Sequence, residues 1–181
     1  MLRGDKIGLR ARLESDVPVL HVELYDDVVT QSRAGSRAWR PIAPGSAESP
    51  FAVSESADNV ARFSVVRLAD DQLAGSALLW GIDLHNRTAH LGLSLRPSFR
   101  GQGLGTDIVR VLCQYGFQVR GLHRLQLETL ADNTAMIHSA ERAGFVLEGT
   151  LRNAAWVNGT FLDEVIFGLL ATEWSQGQSK P

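Results

Sequence analysis

Arg100-Gly101-Gln102-Gly103-Leu104-Gly105 places three glycines two residues apart behind an arginine, between a stretch of alternating residues that ends at Leu95-Arg96-Pro97 and an apolar helical pattern that begins near Thr106. Such a turn lets backbone approach a ligand without Cβ clashes, and the free N–H groups of the helix start point at whatever sits in front. An anion, and a pyrophosphate in particular, suits that place. Arg100 can add charge at its rim or lie solvated on the surface. Two common nucleotide loops do not fit. A dinucleotide fingerprint needs G-x-G-x-x-G, and Glu128, about twenty residues on, only imitates its ribose-binding acid. A triphosphate loop ends in G-K-[ST], whereas Gly105-Thr106-Asp107 puts an acid near the place of the lysine.

The elements that must hold this loop can be read on either side of it. Ile7 to Leu13 alternates as a strand, and a helix is expected from Pro18 to Leu24. Thr30 to Ser56, rich in glycine, proline and small polar residues, is mostly loop with one short helix. Three strands then form an antiparallel meander, Arg62–Leu68, Leu73–Ile82 and Thr88–Leu95, turning at Asp70-Asp71 and His85-Asn86-Arg87. Behind the loop a helix is expected from Thr106 to Arg120 with Gly121 at its C-cap, then a strand from Arg124 to Glu128, then a helix capped by Asp132 or Asn133 and ended by Gly144. That strand, helix, strand, helix run implies a parallel pair. Phe145 to Leu170 holds two strands joined by Asn158-Gly159, a strong hairpin signal.

Bulk properties bound the rest. The 181 residues, 44% apolar and 21% charged with a formal charge of −2, suit one globular domain over 1–174 with a polar tail from 175 to 181, and carry no basic footprint for nucleic acid. Cys113 is the only cysteine, which rules out a disulfide framework or zinc cluster within the chain and reads as inert core filler. The N-terminus lacks an apolar leader and no stretch approaches the ~18 apolar residues of a membrane helix, so a cytoplasmic protein without metal or membrane partner is expected.

The loop also resembles the pyrophosphate loop of the GNAT superfamily of N-acetyltransferases: a Gln or Arg, two free positions, Gly, one free position, then Gly or Ala. Leu91-Gly92-Leu93-Ser94-Leu95-Arg96-Pro97 is similar to the strand before that loop, and Asn133 with Ala143-Gly144-Phe145 to the family's second motif, followed by Glu148-Gly149-Thr150-Leu151-Arg152. Asn158-Gly159 and Asp163-Glu164 resemble the closing hairpin of the subgroup that acetylates ribosomal-protein N-termini. The likeness covers residues 5 to 174. It implies an α/β (α+β) fold with a mixed, mostly antiparallel sheet of about six to seven strands, a central splayed parallel pair and helices on both faces.

It further implies acetyl-coenzyme A as cosubstrate, its pyrophosphate on Arg100 to Thr106 (Arg100, Gly101, Gln102, Gly103, Leu104, Gly105, Thr106), its pantetheine arm on main-chain groups of Leu93 and Leu95, and a contact from Asn133 besides its N-cap role. A backbone N–H near Leu93 could face the thioester oxygen. For the general base the candidates are His90, where many relatives carry a glutamate, and Glu128; water is the third choice. The tyrosine that relatives use to protonate the thiolate corresponds here to Ala140, and the serine of the ribosomal subgroup to Met136, which leaves Ser139 as the nearest hydroxyl. Trp39, Trp156 and Phe161 offer apolar contacts to an acceptor or pack in the core. The acceptor stays open among a peptide N-terminus, a polyamine, an aminoglycoside and a small amine, homodimers occur among relatives, and a coenzyme-binding sensor without catalysis is the rival reading.

Overall fold

The computed structural model describes residues 1–34, 38–53 and 57–178, so parts of the expected 30–56 loop lie outside the described residues. Eight strands form one sheet: β1 (Leu2–Arg3), β2 (Ile7–Arg10), β3 (Val60–Arg67), β4 (Leu73–Asp83), β5 (Thr88–Leu95), β6 (Arg124–Leu130), β7 (Val146–Val157) and β8 (Thr160–Leu170). Their spatial order is β1-β2-β3-β4-β5-β6-β8-β7. Only β5 and β6 run parallel. The strand beyond the expected number is the two-residue β1, which folds back on β2.

The turns follow from local chemistry. At the β4–β5 turn the Asp83 carboxylate accepts the N–H groups of His85 (2.8 Å) and Asn86 (3.0 Å), and Arg87 takes a φ of 57°. Asn158 and Gly159 have φ of 45° and 86°, the two positive values that a two-residue type I′ hairpin requires.

Helix α1 (Val17–Leu20) runs into a π turn, His21–Tyr25, and is followed by α2 (Val28–Ala34). Beyond the meander come α3 (Leu104–Gln114), α4 (Thr134–Arg142) and α5 (Ala171–Gln178). Ile108, Val109, Leu112 and Cys113 of α3 join Val65, Leu79, Leu91, Leu125 and Leu127 in the core. Burial pushes the Cys113 thiol far above its ordinary value, which keeps it unreactive. Ser64 and Ser76, one step along the strand alternation from Val65 and Ala77, face the other side and meet α1 and its approach: Ser64 donates to Asp16 (2.7 Å), and Arg12 donates to Ser76 (2.6 Å). Helices therefore cover both faces.

Three expectations shift. The first strand stops at Arg10 rather than Leu13, because Arg12 turns inward to Ser76 and to the Phe63 carbonyl (3.2 Å). The helix behind the loop starts at Leu104, two residues early, and its last turn, Tyr115–Val119, widens to π geometry. The C-terminal stretch expected to be a tail from Ser175 is helical to Gln178; Trp174 anchors it against Phe117 with ring centroids 5.5 Å apart, and 179–181 lie outside the described residues.

Asp16 carries a pH signature. Burial works to raise its carboxyl, but the Arg10 guanidinium, the Leu13 N–H and the Ser64 hydroxyl outweigh burial and hold it at about 2. A carboxyl depressed in the folded state stabilises above its unfolded value and loses that contribution as pH falls through the folded one. Thermal melts should therefore show the gap between wild type and Asp16→Asn closing from about pH 4 down to about pH 2. A gap constant over that window would show that Asp16 does not supply the acid sensitivity.

Candidate active site

The site is set by a failure of strand pairing. β5 and β6 are joined only at Thr88↔Arg124, Ala89↔Leu125 and His90↔Gln126, although β5 continues to Leu95 and β6 to Leu130. Beyond His90 the two strands diverge, each still bound on its far side, β5 to β4 and β6 to β8. The main chain of 91–95 thus borders a wedge-shaped cleft. Leu93 and Leu95 are half-buried, with side chains packed on the core, so only their backbone is available to a ligand.

The glycine loop closes the wide end. Gly101 and Gly103 each hold φ at 72°, and Gly103 is the N-cap of α3 with no side chain capping the helix. The first N–H groups of α3 are accordingly left for an outside partner. Leu104 is buried, so it too offers only backbone, while Gly101 and Gln102 are exposed and Thr106 half-buried. Gly105 leaves room that a Cβ would take from the Ser139 hydroxyl, 3.0 Å away.

Residues far apart in sequence brace this loop. Arg100 donates through Nε to the Leu95 carbonyl (3.0 Å), so it ties the loop back to β5 rather than standing as a free rim charge. Gln102 donates to the Ser98 carbonyl (2.8 Å), and its own side-chain and main-chain oxygens accept from Arg67 (3.0 Å) and Lys6 (3.3 Å). Asp107, which the sequence offered only as a misfit to a lysine motif, accepts the backbone N–H groups of Asp5, Lys6 and Ile7 at 2.8 to 3.1 Å. That clamp fixes Lys6 beside the loop. The approach of two chain segments a hundred residues apart left no local signal.

At the narrow end stand two of the expected residues. His90 Nδ1 lies 3.4 Å from Glu128 Oε1, each side chain about one-third exposed. The spacing exceeds a hydrogen bond, and Nδ1 is buried without a hydrogen-bond partner. Trp80 on β4, which the sequence reading passed over, stacks on the imidazole at 4.2 Å and 20°. It is the cross-strand partner of His90, a pairing legible only once the β4–β5 register is known.

The other candidates lie elsewhere. Asn133 caps α4 by accepting the Met136 N–H (3.3 Å), and its amide donates to Thr129 Oγ1 (2.9 Å), so both ends of the side chain already have work. Ser139 donates to the Ala135 carbonyl one turn earlier (2.9 Å) and sits against Gly105 at the loop, not with His90 and Glu128 at the vertex. Ala140 is fully buried and Met136 packs on the core. Trp39 lies near Tyr25, and Trp156 and Phe161 pack edge to face at 4.8 Å, both largely exposed, where the hairpin turns. Among the described residues no cluster of His, Cys, Asp or Glu is gathered for a metal, and no helix is long and apolar enough to cross a membrane.

Comparison with known proteins bears on the family and the fold. The chain is 30% identical over 106 residues to spermidine N(1)-acetyltransferase of Vibrio cholerae and 32% identical over 94 residues to ribosomal-protein-serine acetyltransferase of Escherichia coli. These matches cover 59% and 52% of this chain, and the chain spans only 61% and 52% of the length of those two relatives. The crystal structure of the Vibrio cholerae spermidine N-acetyltransferase in complex with CoA and spermine superposes with a TM-score of 0.76 at 22% identity, covering 93% of this chain and 98% of that one. A GNAT-family acetyltransferase from Bacillus anthracis gives 0.77 at 17% identity, over 95% and 99%. At such identities the structures speak for the fold. The family itself is given by the model of the acetyltransferase (GNAT) domain, which matches residues 6–146, and this chain belongs to that family.

Proposed function

We propose that the chain, as one domain that runs from β1 through α5, is an N-acetyltransferase that moves an acetyl group from acetyl-coenzyme A to a primary amine at the vertex where His90 meets Glu128. The observation that carries this reading is the opening of the sheet beside an uncapped, glycine-started helix. The cradle fits the cosubstrate: the loop offers backbone N–H groups, two glycines in left-handed geometry and the Lys6 ammonium to a pyrophosphate, and the freed edge of β5 offers main-chain groups of Leu93 and Leu95 to the pantetheine arm. Asn133 can add its second amide hydrogen. Acetyl-coenzyme A supplies the thioester.

The chain's own residues handle the proton. An acceptor arrives as an ammonium; Glu128 and His90 take its first proton, the freed lone pair forms the N–C bond as the C–S bond breaks, and the second proton shed by the acylated nitrogen leaves through water, with no covalent enzyme intermediate. A backbone N–H near Leu93 faces the developing oxyanion. The departing thiolate takes up, through water, the proton that the nitrogen sheds; Ser139, bonded to the Ala135 carbonyl and set against Gly105, stands away from the vertex.

We take the acceptor to be a protein or peptide N-terminal amine. The carboxylates of Glu23, Asp132 and Glu148 are each tied to an arginine, Arg96, Arg33 and Arg124, while Glu128 faces a histidine. That layout suits one positive charge better than a row of them. The relative that acetylates ribosomal-protein serine points the same way. Val146, Leu147 and Leu151, exposed on the edge strand β7, support a homodimer as part of this reading.

The buried Ala140 and core-packed Met136, where relatives place a hydroxyl, favour a second reading, a coenzyme-binding sensor without turnover. Thiol release from acetyl-coenzyme A, followed against Ser- and Ala-initiated peptides, spermidine and small amines, separates the two. Acceleration by peptides above the hydrolysis rate is expected. Tight coenzyme binding with no acceptor raising the rate would leave the sensor.

A further inference from the structure

The Glu128 carboxylate is held by a chain of side chains that crosses three strands. Gln126 Nε2 donates to Glu128 Oε1 at 2.7 Å, and Arg124 Nη2 donates to Gln126 Oε1 at 3.0 Å. Arg124 also grips Glu148 with both terminal nitrogens, one of them at 2.7 Å from Oε1. Arg124, Gln126 and Glu128 share a face of β6 by strand alternation, while Glu148 comes from β7, on the far side of β8.

Two departures from regular sheet geometry let that ion pair form. Val146, Leu147 and Gly149 pair with Gly168, Phe167 and Ile166, so Glu148 is the extra residue of a bulge. A bulge re-aims the side chain it inserts. Gly168 in turn stands between Gln126 on one side and Val146 on the other. A Cβ there would come within 2.3 Å of Glu148 Oε1 and 2.6 Å of Arg124 Nη1. A glycine inside a strand is a weak choice for the sheet and marks a close approach, here that of the ion pair passing over β8.

We infer that the Arg124–Glu148 pair, acting through Gln126, is a positioning device that sets the Glu128 carboxylate against His90 for removal of the acceptor's proton; the inference rests on the acetyl-transfer reading above. Arginine has donors only, so it turns the Gln126 amide oxygen toward itself and the amide nitrogen toward Glu128. Glu128 Oε1 is thereby fixed at the atom that faces His90 Nδ1. Gln126, Arg124 and Glu148 are positioning residues and need touch neither substrate.

The test uses the full chain, with the best acceptor from the thiol-release panel, and compares Gln126→Leu, Glu148→Gln, their double variant and Gly168→Ala, which displaces the ion pair without replacing any of its members. Misplacement of a reacting group by about 1 Å costs up to about a hundredfold, so kcat should fall about tenfold to a hundredfold in Gln126→Leu and in the same direction in the others, with KM for acetyl-coenzyme A unchanged. The double variant should be no worse than Gln126→Leu alone, because Glu148 acts through Gln126. Imidazole 15N resonances of His90 should move in Glu148→Gln and Gly168→Ala, neither of which replaces a residue paired with His90, as they do in Gln126→Leu, whose site is the cross-strand partner of His90. Additive losses, or wild-type kcat with unmoved His90 resonances, would overturn the inference. Wild-type kcat in Glu128→Gln would instead bring down the proposed role of the vertex, which keeps the two failures apart.

Discussion

Gly103→Asp should weaken coenzyme A binding by about a hundredfold or more while moving the melting temperature by only a few degrees. Gly103 is the N-cap of α3 and sits at φ 72°, a conformation that aspartate tolerates better than most residues. An aspartate there favours the helix dipole and lies close to Lys6, whose Nζ would be 3.3 Å from the new Cβ. The change therefore removes little from folding and adds a carboxylate where the pyrophosphate must sit, competing for the same N–H groups and the same ammonium. Calorimetric titration with coenzyme A beside a thermal melt reads both quantities. Parallel losses of affinity and melting temperature would mean that the glycine serves the fold and that the loop is no anion seat.

The second large effect belongs to the vertex. Glu128→Gln and His90→Gln are each expected to lower kcat by about 10²- to 10⁴-fold at neutral pH, since both remove a proton acceptor at the point where the strands part. Coenzyme affinity should hold, because the loop is braced by Arg67, Lys6 and Asp107 independently of β6. The pair acts as a unit, so the double variant should lose little more than the worse single one. If both single variants stay within twofold of wild type with peptide and polyamine acceptors alike, solvent carries the proton and the vertex is only a wall. Trp80, stacked on the ring, makes glutamine a better replacement than alanine, since alanine would also leave the indole face without its partner.

What could be read from the sequence was what local chemistry decides. The glycine loop, the Asn133 cap, the His85-Asn86-Arg87 turn and the Asn158-Gly159 hairpin each depend on neighbours within a few residues, and each sits where it was expected. His90 could be nominated because the resemblance sets it where many relatives carry a glutamate, and Glu128 because it ends the strand expected to run parallel. The hidden features all needed register or long-range contact. Glu148 reaches Arg124 only because a bulge turns it, Asp107 matters only because residues 5–7 fold back on it, and Trp80 covers His90 only through the β4–β5 register. Ser139 was the nearest hydroxyl by helical spacing, yet its place is at Gly105, because α4 packs against the start of α3. The Lys6–Gln102–Arg67 brace joins three distant segments and could not be seen from any one of them.

Three matched residue pairs are all that stitch the β1–β5 plate to the β6–β8 plate across the middle of the sheet. One core still joins the two plates, but the amides of 91–95 that face away from β4 lack a strand partner and should exchange faster than the rest of the sheet. A ligand whose own amide groups line the seam behaves as a ninth strand, adding rungs where the ladder stops. Binding should then add exchange protection first along 91–95, where the ladder stops.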